Sequence, residues 1–224
     1  MKVSLLALGS ALAMYTAVSA TPANPLLTTL SIKHTTNTSA DEDTTYTRVI
    51  TQRAGKIVAT LGLPDSAAFY RVRTIVAGQY RALNAVYTDR DEKLKQLKDQ
   101  QPPAEKTTSD SVKKLIQQDV DTRIAQLHTA YLAKLATELN PQQIDMVKDG
   151  MTYNVRTVTF HAYEQMLPQL TDEQKAVIMA DLTEAREHAM DAESSEKKHA
   201  WFGKYKGRIN NYLSTQGISM KKAK

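Results

Sequence analysis

The residues best equipped for chemistry crowd towards the C-terminal end, in the stretch LTEAREHAMDAESSEKKHAWFGKYKGRINNYL (182–213). At about 100° per residue, Asp181, Glu184, His188 and Asp191 share one flank of an acidic helix. After the turn AESSE, Trp201, Tyr205, Ile209 and Tyr212 form the apolar stripe of a basic helix. Lys197, Lys204 and Arg208 line one side of that stripe, and His199, Lys206 and Asn210 another. Cations beside aromatic rings suit an anionic sugar or a phosphate ester. The rings stack on the sugar, and Lys or Arg pairs with its carboxylate or sulfate. The ligand-binding set expected here is therefore Glu184, His188, Lys197, His199, Trp201, Lys204, Tyr205 and Arg208.

Gly203 and Gly207 lie in the same basic helix, where each should cost about 1 kcal/mol against alanine. Three explanations stay open: the glycines face solvent, the helix breaks at Gly203, or a ligand or neighbouring helix approaches the backbone there. The last gives the locus its functional interest. Glu184 and His188, at i and i+4, have the spacing of metal ligands, but an acidic solvated face explains them equally, and no metal is expected. Acid–base chemistry has candidates in Asp149, Tyr153, His161, Glu184 and His188, yet no spacing selects a pair, so the catalytic residues are unknown. His128 sits beside a core stripe and reads as a boundary residue. There is no phosphate-binding glycine loop, G-x-S-x-G elbow or H-E-x-x-H pair, and no cofactor is expected.

The elements that must position these residues are all helical. Val49, Ile50, Ala54, Ile57, Val58 and Leu61 repeat with helical spacing from Thr45, and Gly62 and Pro64 stop them. Asp65 or Ser66 can cap a long helix reaching about Lys98. After the polar break DQQPPAEKTTS, Asp110 is read as the cap of a second long helix carrying Val120, Ile124, Leu127, Tyr131 and Leu135. The two read as an antiparallel hairpin. LNPQQ (139–143) and LTDEQ (170–174) are capping-box sequences. Gly150 is read as closing the helix 141–149. MTYNVRTVTFHAYEQML (151–167) permits strand or helix, and helix is preferred because no partner strand exists elsewhere. The expectation is an all-α helical bundle of about six helices, with two long antiparallel helices and a C-terminal helical hairpin.

Residues 1–20 have the pattern of a secretory signal peptide: Lys2, the apolar run Leu5–Met14, and small residues ending at Ala20. Residues 21–44, rich in Thr, Ser, Asn and Pro, read as a linker or loosely ordered arm. Residues 45–218 read as a single all-α domain and 219–224 as a basic tail. A periplasmic or secreted protein with no membrane anchor after cleavage is expected. With no cysteine, its core alone must hold it together. Residues 197–224 carry eight cations and no acid, against 20 cations and 24 acids over 21–196. A basic field confined to one end argues against a nucleic-acid partner. The sequence sets no oligomeric state.

KDGMTYNV (148–155) and the stretch 182–217 resemble a secreted family found mainly in Bacteroidetes, domain of unknown function 3826. The resemblance covers about residues 40–218. It implies a carbohydrate setting, because members often occur beside polysaccharide-degradation genes, pectin systems among them. It implies no reaction and no catalytic residues. The two L-[TN]-x-x-Q signals also bear a weaker similarity to the small periplasmic helical chaperones of the Spy and CpxP group. The leading expectation is a protein that binds or helps to process an acidic polysaccharide or oligosaccharide. The alternatives are a chaperone-like or scaffold protein and a glycan hydrolase or lyase with an unrecognised acid–base pair.

Overall fold

Asp65 begins the long helical hairpin by accepting a 2.7 Å hydrogen bond from the Ala68 backbone N–H, which satisfies one of the orphan donors of a helix start. The computed structural model describes residues 38–100 and 106–218. The signal peptide, most of the arm and the basic tail expected from the sequence lie outside the described residues. Among those described there are seven helices and no strand: α1 (Thr38–Val58), α2 (Ser66–Gln100), α3 (Lys106–Ala136), α4 (Pro141–Met151), α5 (Val155–Met166), α6 (Asp172–Met190) and α7 (Ser195–Thr215). The fold is an all-α bundle, with one helix more than the sequence suggested.

Long helices α2 and α3 run antiparallel. Arg71 near the start of α2 meets Glu138 just past α3, while Lys93 far along α2 meets Asp119 early in α3. Helices α6 and α7 form the second antiparallel pair, and the short α4 touches α1, α3, α5 and α6. Two apolar cores result. Ile50, Val58, Val72, Val76, Leu135 and Val147 anchor the first, between α1, α2, α3 and α4. Tyr163, Ile178, Leu182, Phe202, Ile209 and Leu213 anchor the second, between α5, α6 and α7. Met190, at the end of α6, belongs to the first core. The C-terminus of α6 therefore reaches across to the long hairpin.

Both capping boxes form. Asn140 accepts from the Gln143 N–H at 2.9 Å while Gln143 accepts from the Asn140 N–H at 3.2 Å. Thr171 and Gln174 repeat the exchange at the head of α6. Gln143 also donates to the Leu61 carbonyl at 3.0 Å, which ties α4 to the turn after α1. That turn needs Gly62, whose φ is +62°. Residues 151–167 are helical after a bend at Tyr153 and Asn154, both at φ 57°. Asn tolerates that region; for Tyr153 it is strained.

Four local expectations change. Helix α1 begins at Thr38, so residues 38–44 are helix rather than arm. Helix α3 begins at Lys106, which leaves Asp110 inside it, bonded to Lys113 at 3.1 Å. The buried stripe of α7 is Lys198, Phe202, Tyr205, Ile209 and Leu213, which keeps the expected Tyr205 and Ile209 but has Phe202 and Leu213 where Trp201 and Tyr212 were expected. Gly150 does not end its helix. A Cβ there would lie 2.9 Å from Ile57 Cγ2, so α4 and α1 pack too closely for a side chain.

The open explanations for Gly203 and Gly207 narrow as well. Helix α7 is unbroken, both glycines are exposed, and a Cβ on either would meet nothing within 4 Å. Among the described residues no other helix comes within reach of a side chain at either position. Gly203→Ala and Gly207→Ala should each stabilise the fold by about 1 kcal/mol through helix propensity. Gly150→Ala should destabilise it by about 1–3 kcal/mol, because Ile57 is a branched core residue with no room to retreat. Urea midpoints of the three variants would show this opposite sign; a loss at Gly203 or Gly207 would reveal an unseen contact.

Candidate functional site

The reach of α6 across the hairpin creates a cleft of about 780 Å³. Tyr87 and Arg90 of α2, Ile124 and His128 of α3, Glu187 and His188 of α6, Asp191 just past it, and Lys197 and Trp201 of α7 line it. Ser194 caps α7 by accepting from the Lys197 N–H at 3.1 Å, which fixes where Lys197 and Trp201 leave the turn.

His128 and Asp191 form a close polar contact in the cleft, with Nδ1 and Oδ2 2.6 Å apart. Asp191 is buried just beyond the end of α6. Gln79 donates to its other oxygen at 3.3 Å, and the Tyr87 hydroxyl donates to its backbone carbonyl at 2.8 Å. His128 Nε2 lies 3.7 Å from Glu187 Oε2. The hydrogen bond to Asp191 raises the His128 pKa above its ordinary value; partial burial opposes this, and the charge of Glu187 adds to the rise. Burial pushes the Glu187 carboxyl up, but Lys148 at 2.8 Å and the Arg186 guanidinium outweigh it and hold the carboxyl below the usual range.

Behind Glu187 runs a chain of ion pairs. Arg186 is 2% exposed and reaches Asp149 at 3.1 Å, Asp145 at 2.9 Å and Glu187 at 3.0 Å. Arg156 of α5 closes the chain on Asp149 at 2.6 Å. Its Nε is buried with no hydrogen-bond partner among the described residues. On the other side of the α6–α7 turn, the buried Lys198 ammonium donates to the carbonyls of Ala189 and Met190 at 3.0 and 2.8 Å. It thereby caps the C-terminal end of α6, where a cation is favoured. Burial pulls its pKa down to about 8.

The residues singled out from the sequence divide among three places. His188, Lys197 and Trp201 line the cleft. The His188 ring stacks on Trp201 with centroids 4.4 Å apart, and Lys204 Nζ lies 4.9 Å from the same indole. Glu184, Arg208 and Tyr205 sit apart from it: Arg208 binds Asp181 and Glu184, each at 3.1 Å, and its guanidinium lies over the Tyr205 ring. His199 packs against the strained Tyr153, with centroids 5.8 Å apart. The flank of four expected on α6 therefore serves three different partners. Among the described residues no group of three or more His, Cys, Asp or Glu could hold a metal ion. His128 and Glu187 were not singled out, and Asp191 was noted only as a member of the acidic flank. The sole local signal for His128 was its place one turn after Ile124, on the border of the α3 stripe.

Fold and cleft together define an all-helical protein with a histidine–carboxylate pair at the meeting of two helical hairpins. Residues 47–224 match the family model described as "Protein of unknown function (DUF3826)", and the chain belongs to that family. A search of the curated proteins gave no match.

Proposed function

We propose that this is an exported helical protein, periplasmic or secreted, whose cleft binds an acidic oligosaccharide or the end of an acidic polysaccharide. The observation that carries the reading is the state of the charges in the cleft. Its four carboxylates are engaged within the protein: Asp121 by Gln117, Glu187 by Lys148 and Arg186, Asp191 by His128, and Glu193 by Arg90. Among the described residues the Lys197 ammonium pairs with no carboxylate, and it stands at the cleft beside Trp201. An anionic guest thus meets a free cation and an aromatic ring rather than bare acids. The Lys204 ammonium near that ring is on an exposed side chain, and displacing it costs only about 0.5–1 kcal/mol. The signal-peptide pattern supports export. Among the described residues no helix is long and apolar enough to cross a membrane.

Titration calorimetry with oligogalacturonides, oligoglucuronides and alginate oligomers tests the reading. The wild type should bind at least one. Trp201→Ala with Lys197→Ala should weaken it at least tenfold, equivalent to about 1.4 kcal/mol, while circular dichroism stays unchanged. An identical isotherm for the folded double variant, or no heat with any of the three, rejects the reading.

A further inference from the structure

Resting on that binding site, we infer that His128 is the proton-transfer residue of the cleft and that its reaction is β-elimination in a uronic-acid glycan. Asp191 is a positioning residue. Its carboxylate, 2.6 Å from Nδ1, fixes the tautomer with the proton on Nδ1 and leaves Nε2 as the nitrogen that exchanges. Gln79 and Tyr87 hold Asp191 from the far side, so the imidazole is braced rather than floating on a surface pair. Nε2 is 3.7 Å from Glu187, outside hydrogen-bond range, and so is not used up within the protein.

The neighbours decide the reaction class. Hydrolysis by two carboxylates needs one of them protonated near neutral pH. Of the four carboxylates of the cleft, Glu187 is held ionised by Lys148 and Arg186, Glu193 is paired with Arg90, Asp121 accepts from Gln117, and Asp191 lies buried behind the imidazole. The imidazole is the group placed to accept a proton. A carbon-bound proton next to a carboxylate becomes removable when a cation neutralises that carboxylate, and Lys197, which pairs with no carboxylate among the described residues, lines the same cleft. In the step, Nε2 takes the proton from C5 of the uronic residue. The C5–H electron pair forms the C4=C5 double bond, and the bond from C4 to the glycosidic oxygen breaks. The imidazolium returns the proton to that oxygen. One chain becomes a 4,5-unsaturated end and a new reducing end, with no water consumed.

The charged and titratable groups around the imidazole are Glu187 and His188 of α6, Asp191 and Glu193 just beyond it, Lys148 of α4, Asp121 of α3, Tyr87 and Arg90 of α2, and Lys197 of α7. Asp191 and Glu187 favour the imidazolium, so the rate should rise with pH as His128 loses its proton. Glu187→Gln should move that rise to lower pH. The full mature chain is incubated with the same three oligomers, and the ultraviolet absorbance of the unsaturated product is followed beside calorimetric binding. Binding plus unsaturated product is expected, with His128→Gln at least about 100-fold slower at retained affinity. Asp191→Asn should slow turnover and lower the His128 midpoint in an NMR titration. Binding without product, or reducing ends without unsaturation, overturns the elimination; undiminished turnover in His128→Gln overturns the role of His128; each leaves the binding reading standing. Absence of binding removes both. If His128→Gln does not fold, the wild type decides, since a pH–rate profile that fails to track the His128 titration refutes the role.

Discussion

Arg186→Ala should lower the stability of the fold by about 3–5 kcal/mol, a loss of order 10 °C in melting temperature for a domain of this size. The guanidinium is 2% exposed and lies between α4 and α6, where the two apolar cores meet. It holds Asp149 and Asp145 of α4 and Glu187 of its own helix. Burial lowers the guanidinium pKa, and the charges of Asp149 and Asp145 more than restore it, so the group stays charged in place. Alanine would leave Asp149, whose side chain is 15% exposed, with Arg156 alone, and would open a cavity under the joint. The control is Arg71→Ala. Arg71 pairs with Glu138 at the same 3.0 Å as the Arg186–Glu187 contact but is 56% exposed, and its loss should cost under about 1 kcal/mol. Urea unfolding of the two variants at constant m-value makes the comparison. Equal losses would mean that burial is not what gives the Arg186 cluster its weight.

That contrast between local and distant causes also explains what the sequence revealed. Asn140–Gln143 and Thr171–Gln174 were legible because a capping box is complete within four residues. The long hairpin was legible because its period is sustained over many turns. The α7 stripe is legible at Tyr205 and Ile209 and not at its ends, for a physical reason. Hydropathy puts Trp201 in the core and Lys198 in water, whereas Lys198 buries its ammonium against the open carbonyls of α6 and leaves Trp201 half-exposed at the cleft. The role of Gly150 is not legible locally because its reason is Ile57, on another helix. The same holds for His128: its partner Asp191 is 63 positions away, and only the docking of α6 on the long hairpin joins them.

Stability should climb between about pH 8 and pH 10 and then collapse before about pH 12. The climb comes from Lys198, whose folded pKa of about 8 lies below the ordinary 10.5. Between those values the unfolded chain binds a proton that the fold does not, so raising the pH favours the fold. The two carbonyls that accept from its ammonium reduce the gain. The collapse comes from the tyrosines. Burial pushes Tyr80, Tyr87, Tyr163 and Tyr205 up to about 12, and raises Tyr131 well above its ordinary value. Here the sign reverses. The folded state keeps protons that the unfolded chain sheds above pH 10, so this stabilisation is whole below pH 10 and is lost as the pH rises towards 12. A shift of two units in a well-buried phenol such as Tyr80 or Tyr163 corresponds to roughly 3 kcal/mol, and several together match the whole ~5–15 kcal/mol of a typical domain. Urea midpoints across this range, with tyrosinate absorbance followed in parallel, should give one cooperative alkaline transition. Lys198→Met should flatten the climb and leave the collapse. If the phenols instead titrated near pH 10 in a chain that remained helical, they would have to be open to water, and the packing of both cores would be wrong.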